Sequence, residues 1–387
     1  MSRRPPARRS PAAATSTLPD GYRSGFGEEP GYLDYARIGP LSAAAHAESM
    51  LQTELLSRAR FGSLDHLRTR TARAQQSVAR IIGFRPDQVV PQPNTTSGLM
   101  QAVFGLTGEL LLSPDGAPSL PFSAVRAAES LHVVTPRWLS TDHGRVTPGQ
   151  IRDQITPATV AVAVCLVDPR TGFRVDLDGI RQVIGDRLLI VDAAQGFGAV
   201  DAPYEVADVV ASGGQKWARA GDGTGFLALS DRALNRLVPV FSGFDEEDDD
   251  EWDAVTPPSP GVRAFRVRGG DALAVARFAA ALEEIEAVGL ARIDDALTDN
   301  VSQVIELADE YAVPVASSRD ERQRAGIIVL QPPHEQLTVL RAALSNYGVT
   351  CSTLGHSVRL SVHAHLAAST LDMVRGAFTS YATAARY

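Results

Sequence analysis

The sequence is almost without lysine and almost without cysteine. Of its 37 basic residues only Lys216 is a lysine, and the rest are arginines. Arginine serves wherever positive charge alone is needed, but only lysine has a primary amine that forms an imine. Imine chemistry through lysine therefore has one address in this chain. Cysteine occurs twice, as Cys165 and Cys351, which excludes a disulfide scaffold and a cysteine-rich zinc site. So small a number fits a reducing cytoplasm. There is no HExxH or related spacing, and no metal is expected. No apolar run approaches the roughly 20 residues of a membrane span. The N-terminal stretch MSRRPPARRSPAAATSTLPDG has paired arginines with no apolar core behind them, so it does not read as a signal peptide. A net charge of −8 without a basic stripe argues against a nucleic-acid surface.

What is present suits a globular protein. The 387 residues, 44% of them hydrophobic, are enough for one large and one smaller domain. Residues 1–29, rich in Arg, Pro and Ala, read as a disordered arm. Residues 30–262 read as the large domain and 263–387 as a small C-terminal domain. Between them, 243–262 is a loop: Asp245–Asp253 holds eight acidic residues in nine positions, followed by Pro257-Pro258-Ser259-Pro260.

Within the large domain, Leu41–Gly83 reads as two helices, with Leu51, Leu55 and Leu56 at helical spacing. Strands are predicted at Leu110–Ser113, Leu131–Pro136, Val160–Val167, Leu188–Asp192, Asp208–Ser212 and Thr224–Leu229. Helices are predicted near Ala124–Ser130, Pro148–Ile155, Leu177–Ile184 and Arg232–Leu237. Continuous apolar strands such as VAVAVCLV belong in a sheet covered on both faces, so the fold class is α/β with a mostly parallel sheet. The C-terminal third reads as α+β, with long helices at Ala272–Val288 and Leu290–Tyr311.

Three features fall at strand ends, where open α/β sheets bind ligands. Asn94-Thr95-Thr96-Ser97-Gly98 opens a helix whose free amides and hydroxyls suit a phosphate, or form an ordinary cap. Asp192-Ala193-Ala194-Gln195 follows an apolar strand; a buried carboxylate needs a cationic partner, and a protonated pyridine would be one. Ser212-Gly213-Gly214-Gln215-Lys216-Trp217 places the single lysine after another strand. A phosphate cradle, a carboxylate and an amine, found in this order along the chain, are the set that pyridoxal 5'-phosphate requires.

These residues carry a resemblance. With Tyr32–Ala36, Gly221–Leu229 and Val358–His363, the chain resembles the class V aminotransferase family of pyridoxal-phosphate enzymes, which includes cysteine desulfurases, kynureninase and isopenicillin N epimerase. The resemblance implies fold type I, a large sheet domain plus a small C-terminal domain. It implies Lys216 as the Schiff-base lysine, Asp192 on the pyridine nitrogen and Gln195 on the phenolic oxygen. Thr95 and Thr96 would hold the phosphate, helped by Ser212 or Gly213, and Arg359 the substrate α-carboxylate. It also implies a homodimer, with residues near Arg263–Gly270 turned toward the partner's cofactor.

Several positions depart from the family pattern. Ala117 stands where a stacking histidine is usual, with Phe122 nearby, and the sequence does not say which residue stacks on the ring. Asp168 replaces a common asparagine, Gln215 a histidine, and Gly269-Gly270 a Gly-Thr pair. Cys165 lies in an apolar strand and only seven residues separate Cys351 from Arg359, so neither is expected to accept sulfur. His356, His363 and His365 read as surface or supporting residues. The expected function is an aminotransferase or C–S/β-lyase acting on an amino acid. An epimerase and a non-catalytic binding homologue are the alternatives.

Overall fold

The computed structural model describes residues 18–58, 62, 66–243, 257–266 and 271–384. The acidic run 245–253 and Gly269-Gly270 lie outside the described residues, as does the arm up to residue 17.

Among the described residues the helices are α1 (Asp20–Ser24), α2 (Ala43–Arg58), α3 (His66–Ile82), α4 (Thr95–Phe104), α5 (Ser119–Leu131) and α6 (Pro148–Gln154). They continue with α7 (Leu177–Ile184), α8 (Asp231–Arg236), α9 (Ala272–Val288), α10 (Leu290–Glu310), α11 (Leu337–Asn346) and α12 (Ala368–Ala384). The strands of the large sheet are β1 (Val89–Pro91), β2 (Gly108–Leu112), β3 (Val134–Trp138), β4 (Thr159–Cys165), β5 (Leu188–Asp192), β6 (Val209–Gly213) and β7 (Gly225–Leu229). A second sheet holds β8 (Ile327–Leu330), β9 (Ser352–Leu354) and β10 (Ser357–Ser361).

The large sheet has seven strands in the order β1-β7-β6-β5-β4-β2-β3, with β7 antiparallel to both neighbours and the β6-to-β3 run parallel. Every residue of β5, β6 and β7 is buried, which is why these stretches read as unbroken apolar runs. Successive residues divide between two cores, as the pleat demands. Ile190, Val209, Ala211 and Ala163 share one core with α4 and α5, whereas Leu189, Val191 and Val210 face the other. The small sheet is antiparallel, in the order β8-β10-β9.

Two expectations need correction. The arm's described part, from residue 18, is ordered structure: Leu18, Tyr22 and Phe26 are buried, and the Arg219 guanidinium lies 3.7 Å over the Phe26 ring. Its three apolar side chains find a core that its Pro- and Arg-rich composition hides. Second, α9 falls beyond the expected domain boundary but packs on α2 and α3 of the large domain. Meanwhile the apolar stripe of α2 does not face the core: Leu51 and Leu55 are exposed with Met50, and the buried residues are Ala45 and Gln52.

Candidate active site

Asp192 ends β5 and, by the alternation of the strand, lies on the same face as Ile190, toward α4 and α5. Its Oδ1 accepts from the Ala194 amide at 2.9 Å. Its Oδ2 is buried without a hydrogen-bond partner. An orphaned carboxylate oxygen in a completely buried place is costly, and burial raises this carboxyl above the usual 3.8. The position therefore fits a donor that is cationic, such as a protonated ring nitrogen.

Lys216 follows β6 and lies close enough to Asp192 for each to feel the other's charge. Burial pulls its amine below the ordinary 10.5; Asp192 opposes that shift and Arg359 adds to it. A buried amine of this kind is less protonated than an exposed one, which suits both nucleophilic and basic work. The lysine loop is held by the segment before α2. The Gly39 amide donates to the Gln215 carbonyl at 2.7 Å, and a Cβ at Gly39 would overlap the Lys216 carbonyl oxygen.

Thr95 and Thr96, expected to hold a phosphate, lie where two helices start. Asn94 caps α4, its Oδ1 accepting from the Ser97 amide at 2.9 Å. Thr95 Oγ1 accepts from the Gly213 amide at 2.7 Å and so ties α4 to the end of β6. Thr96 is exposed, and its hydroxyl lies 2.8 Å from that of Ser119 at the start of α5. Backbone amides and hydroxyls at paired helix starts favour an anion.

Ser212 does not join them. It lies one residue beyond Ala211, so the pleat turns it to the opposite face from Asp192, where it is fully buried and donates to the Gly213 carbonyl at 3.0 Å. The Gly213 amide is likewise committed, to Thr95. Gln195 is held at both ends, its Nε2 donating to the Ala36 carbonyl at 2.9 Å and its Oε1 accepting from Trp217 Nε1 at 3.0 Å. One Nε2 hydrogen remains for a ligand oxygen.

Arg359 comes from β10 of the small sheet and reaches the same site, where its charge bears on Lys216. It is 7% exposed; Nη1 donates to the Pro169 carbonyl at 3.2 Å, Nη2 to Ser352 Oγ at 3.3 Å, and Nε is buried without a partner. Asp34 Oδ1 lies 3.7 Å from Nη2.

The departures from the family pattern also find their places. The Ala117 amide donates to Cys165 Sγ at 3.2 Å. Phe122 is 63% exposed on α5. Asp168 turns its Oδ1 to its own loop, accepting from the Arg170 and Thr171 amides and the Thr171 hydroxyl. Gln215 folds back over Gly213 with its Oε1 buried and unpartnered. Cys165 pairs in register with Asp192, and burial holds its thiol well above its ordinary range; burial also pushes Cys351 up to about 11. His363 is fully buried, its Nδ1 accepting from Ala364 N and its Nε2 donating to the Trp217 carbonyl at 2.8 Å, and burial pushes it down to about 3.

Residues 58–386 match the family described as aminotransferase class-V. The chain belongs to the class-V aminotransferase family. A curated relative of this class-V aminotransferase is the Bacillus subtilis (strain 168) protein named "Uncharacterized aminotransferase YcbU", 23% identical over 304 residues, which are 76% of this chain and 79% of that one. The apo cysteine desulfurase of Thermococcus onnurineus NA1 has a TM-score of 0.81 at 20% identity, covering 96% of this chain and 98% of its own. A C-DES variant with glycine covalently linked to its PLP cofactor has a TM-score of 0.82 at 17% identity, covering 95% and 99%. These likenesses show the fold-type I architecture. Class-V aminotransferases are pyridoxal-phosphate enzymes, and the orphaned Asp192 Oδ2 beside Lys216 fits that cofactor.

Asp34, Ser119 and Ser352 were not singled out by sequence. Asp34 sits within the Tyr32–Ala36 motif, so its motif was visible, but its partner lies more than three hundred residues away.

Proposed function

We propose that this class-V aminotransferase acts on the α-carbon of an amino acid, by an aminotransferase or C–S/β-lyase reaction. The observation that carries the reading is the convergence of an orphaned buried carboxylate, the single lysine and a buried arginine from another sheet. Asp192 would hold the ring nitrogen, Gln195 the phenolic oxygen, and Thr95, Thr96 and the α4 amides the phosphate, with Ser119 beside them. When bound, pyridoxal phosphate supplies an aldehyde carbon that takes an amine and a ring that accepts the electron pair released at the α-carbon. Arg359 orients the α-carboxylate. Lys216, its amine favoured in the neutral state by burial, takes the α-proton at Nζ and returns one where the reaction ends.

Both thiols are disfavoured as thiolates, which supports elimination or transamination over transfer of sulfur to a cysteine. Retention of Lys216 at a buried and electrostatically tuned position supports catalysis over a binding role alone. A homodimer is part of the proposal. Its support is the exposed apolar stripe Met50, Leu51 and Leu55 on α2, with Ile38 and Leu41 beside the lysine loop. Two free cysteines support a reducing cytoplasm.

The test is absorbance of the purified protein and of Lys216→Ala, with and without borohydride reduction, followed by an amino-acid panel. A visible-edge band that reduction fixes on Lys216, absent from the variant, is expected. Keto acid with ammonia identifies the lyase, and a stoichiometric keto acid without ammonia the aminotransferase. No band after added cofactor overturns the proposal.

A further inference from the structure

We propose that Asp34 is the resting counter-ion of Arg359 and sets how tightly the site takes the carboxylate of an amino acid. This rests on Arg359 being the carboxylate anchor proposed above. A guanidinium as buried as that of Arg359 needs a compensating anion. Among the described residues the carboxylate at ion-pair distance is that of Asp34, itself 2% exposed. Their contact is loose, 3.7 Å between Nη2 and Oδ1.

The looseness has a cause. The Ser352 hydroxyl donates to that same Oδ1 at 2.7 Å while accepting from Nη2 at 3.3 Å. Ser352 stands between anion and cation as a wedge. The backbone fixes the anion's place, because Asp34 forms a parallel bridge with Ser361 at the end of β10. Arg359 keeps its unpartnered Nε for a ligand.

An incoming carboxylate therefore meets a cation that Asp34 already screens. Two anions share one guanidinium, and the affinity of the second is lowered by the first. The arrangement keeps Arg359 in position before substrate arrives and weakens the hold on product. Two substitutions should then act in opposite directions. Asp34→Asn keeps the acceptor for Ser352 and removes the charge, so a carboxylate binds more tightly. Ser352→Ala removes the wedge, so Asp34 closes on Nη2 and competes harder.

The experiment uses the cofactor-loaded protein and reads dissociation constants from the absorbance shift with L-alanine and with ethylamine, the same amine without the carboxylate. The expected result for Asp34→Asn is L-alanine bound about three- to tenfold more tightly, as a screened unit charge nearby dictates, with ethylamine unmoved. Ser352→Ala is expected to weaken L-alanine alone, and it stands as the test if Asp34→Asn fails to fold. A purely structural role shifts both amines together and overturns the proposal, as does Asp34→Asn weakening L-alanine or leaving it unchanged. Arg359→Gln separates the two readings. If it keeps the preference for L-alanine, the anchor reading fails and the counter-ion role with it. If it loses the preference while Asp34→Asn and Ser352→Ala move nothing, the counter-ion role alone fails.

Discussion

Replacing Asp192 by Asn tests the site at its centre. The change is isosteric, so the acceptor for the Ala194 amide at 2.9 Å is kept. What goes is the charge on Oδ2, the oxygen that no protein group satisfies. A hydrogen bond to a charged group contributes about 1.5–3 kcal/mol, and an amide in place of the carboxylate forfeits it. At about 1.4 kcal/mol per factor of ten, cofactor affinity should fall by about 10- to 150-fold. The protein without cofactor should behave oppositely. Burial raises the Asp192 carboxyl above 3.8, so the folded chain holds that proton more tightly than the unfolded chain does. Its contribution to stability is full below 3.8 and declines as pH rises through the raised value. Asn removes that decline, so the apo-variant should melt at the same temperature or higher at neutral pH. The assay is titration of apo-protein with pyridoxal phosphate by absorbance, with thermal melts of both apo-proteins alongside. Unchanged cofactor affinity would refute the assignment of Oδ2 to the ring nitrogen. A lower apo melting temperature would refute the claim that the charge is a burden without its ligand.

Four other outcomes follow from the same geometry. Lys216→Met should flatten the pH dependence of apo-protein stability, because the folded chain binds the lysine proton less tightly than the unfolded one. Stability in wild type should therefore rise with pH from the lowered value to 10.5, as urea titrations at pH 7 and 10 will show. Gly39→Ala forces a Cβ onto the Lys216 carbonyl and should cost about 1–3 kcal/mol while disturbing the lysine loop, seen as lower melting temperature together with weaker cofactor binding. Asp208→Ala removes the acceptor shared by the Leu189 amide at 2.9 Å, Arg181 at 3.0 Å and Arg232 at 2.7 Å, and should cost about 3–5 kcal/mol by urea titration without changing cofactor affinity of the folded protein. His363 should show no titration between pH 5 and 8 by NMR, since its stabilising contribution is full above 6.5 and is lost only as pH falls toward about 3.

Much of this protein can be read along the chain. Leu188–Asp192, Leu177–Ile184 and Ala272–Val288 are predicted with the bounds they have in the structure, because apolar runs and helical periodicity are local signals. Lys216 stands out because no other lysine exists, and Asp192 because a carboxylate ends an apolar strand. Boundaries elsewhere drift by a few residues, as at β3 (Val134–Trp138), whose expected start at Leu131 is the last residue of α5.

The misreadings share one cause. The resemblance implies Ser212 or Gly213 as a phosphate helper, yet strand alternation turns Ser212 to the other face. The N-terminal segment looked disordered from composition, but Tyr22 and Phe26 bury against residues far along the chain. The stripe Leu51 and Leu55 marked a helix without telling which way it faced.

Sequence by itself determined the alternation of strands and helices and the residues with the chemistry, since both depend on local pattern and residue type. Only tertiary structure decided which residues meet. Arg359 comes within electrostatic reach of Lys216 because the small sheet docks on the loop after β4, where its Nη1 donates to the Pro169 carbonyl, and Asp34 reaches Arg359 because the N-terminal segment bridges to the end of β10. Such pairings depend on how whole layers dock, and docking is set by the summed burial of two cores rather than by any residue's neighbours in the chain.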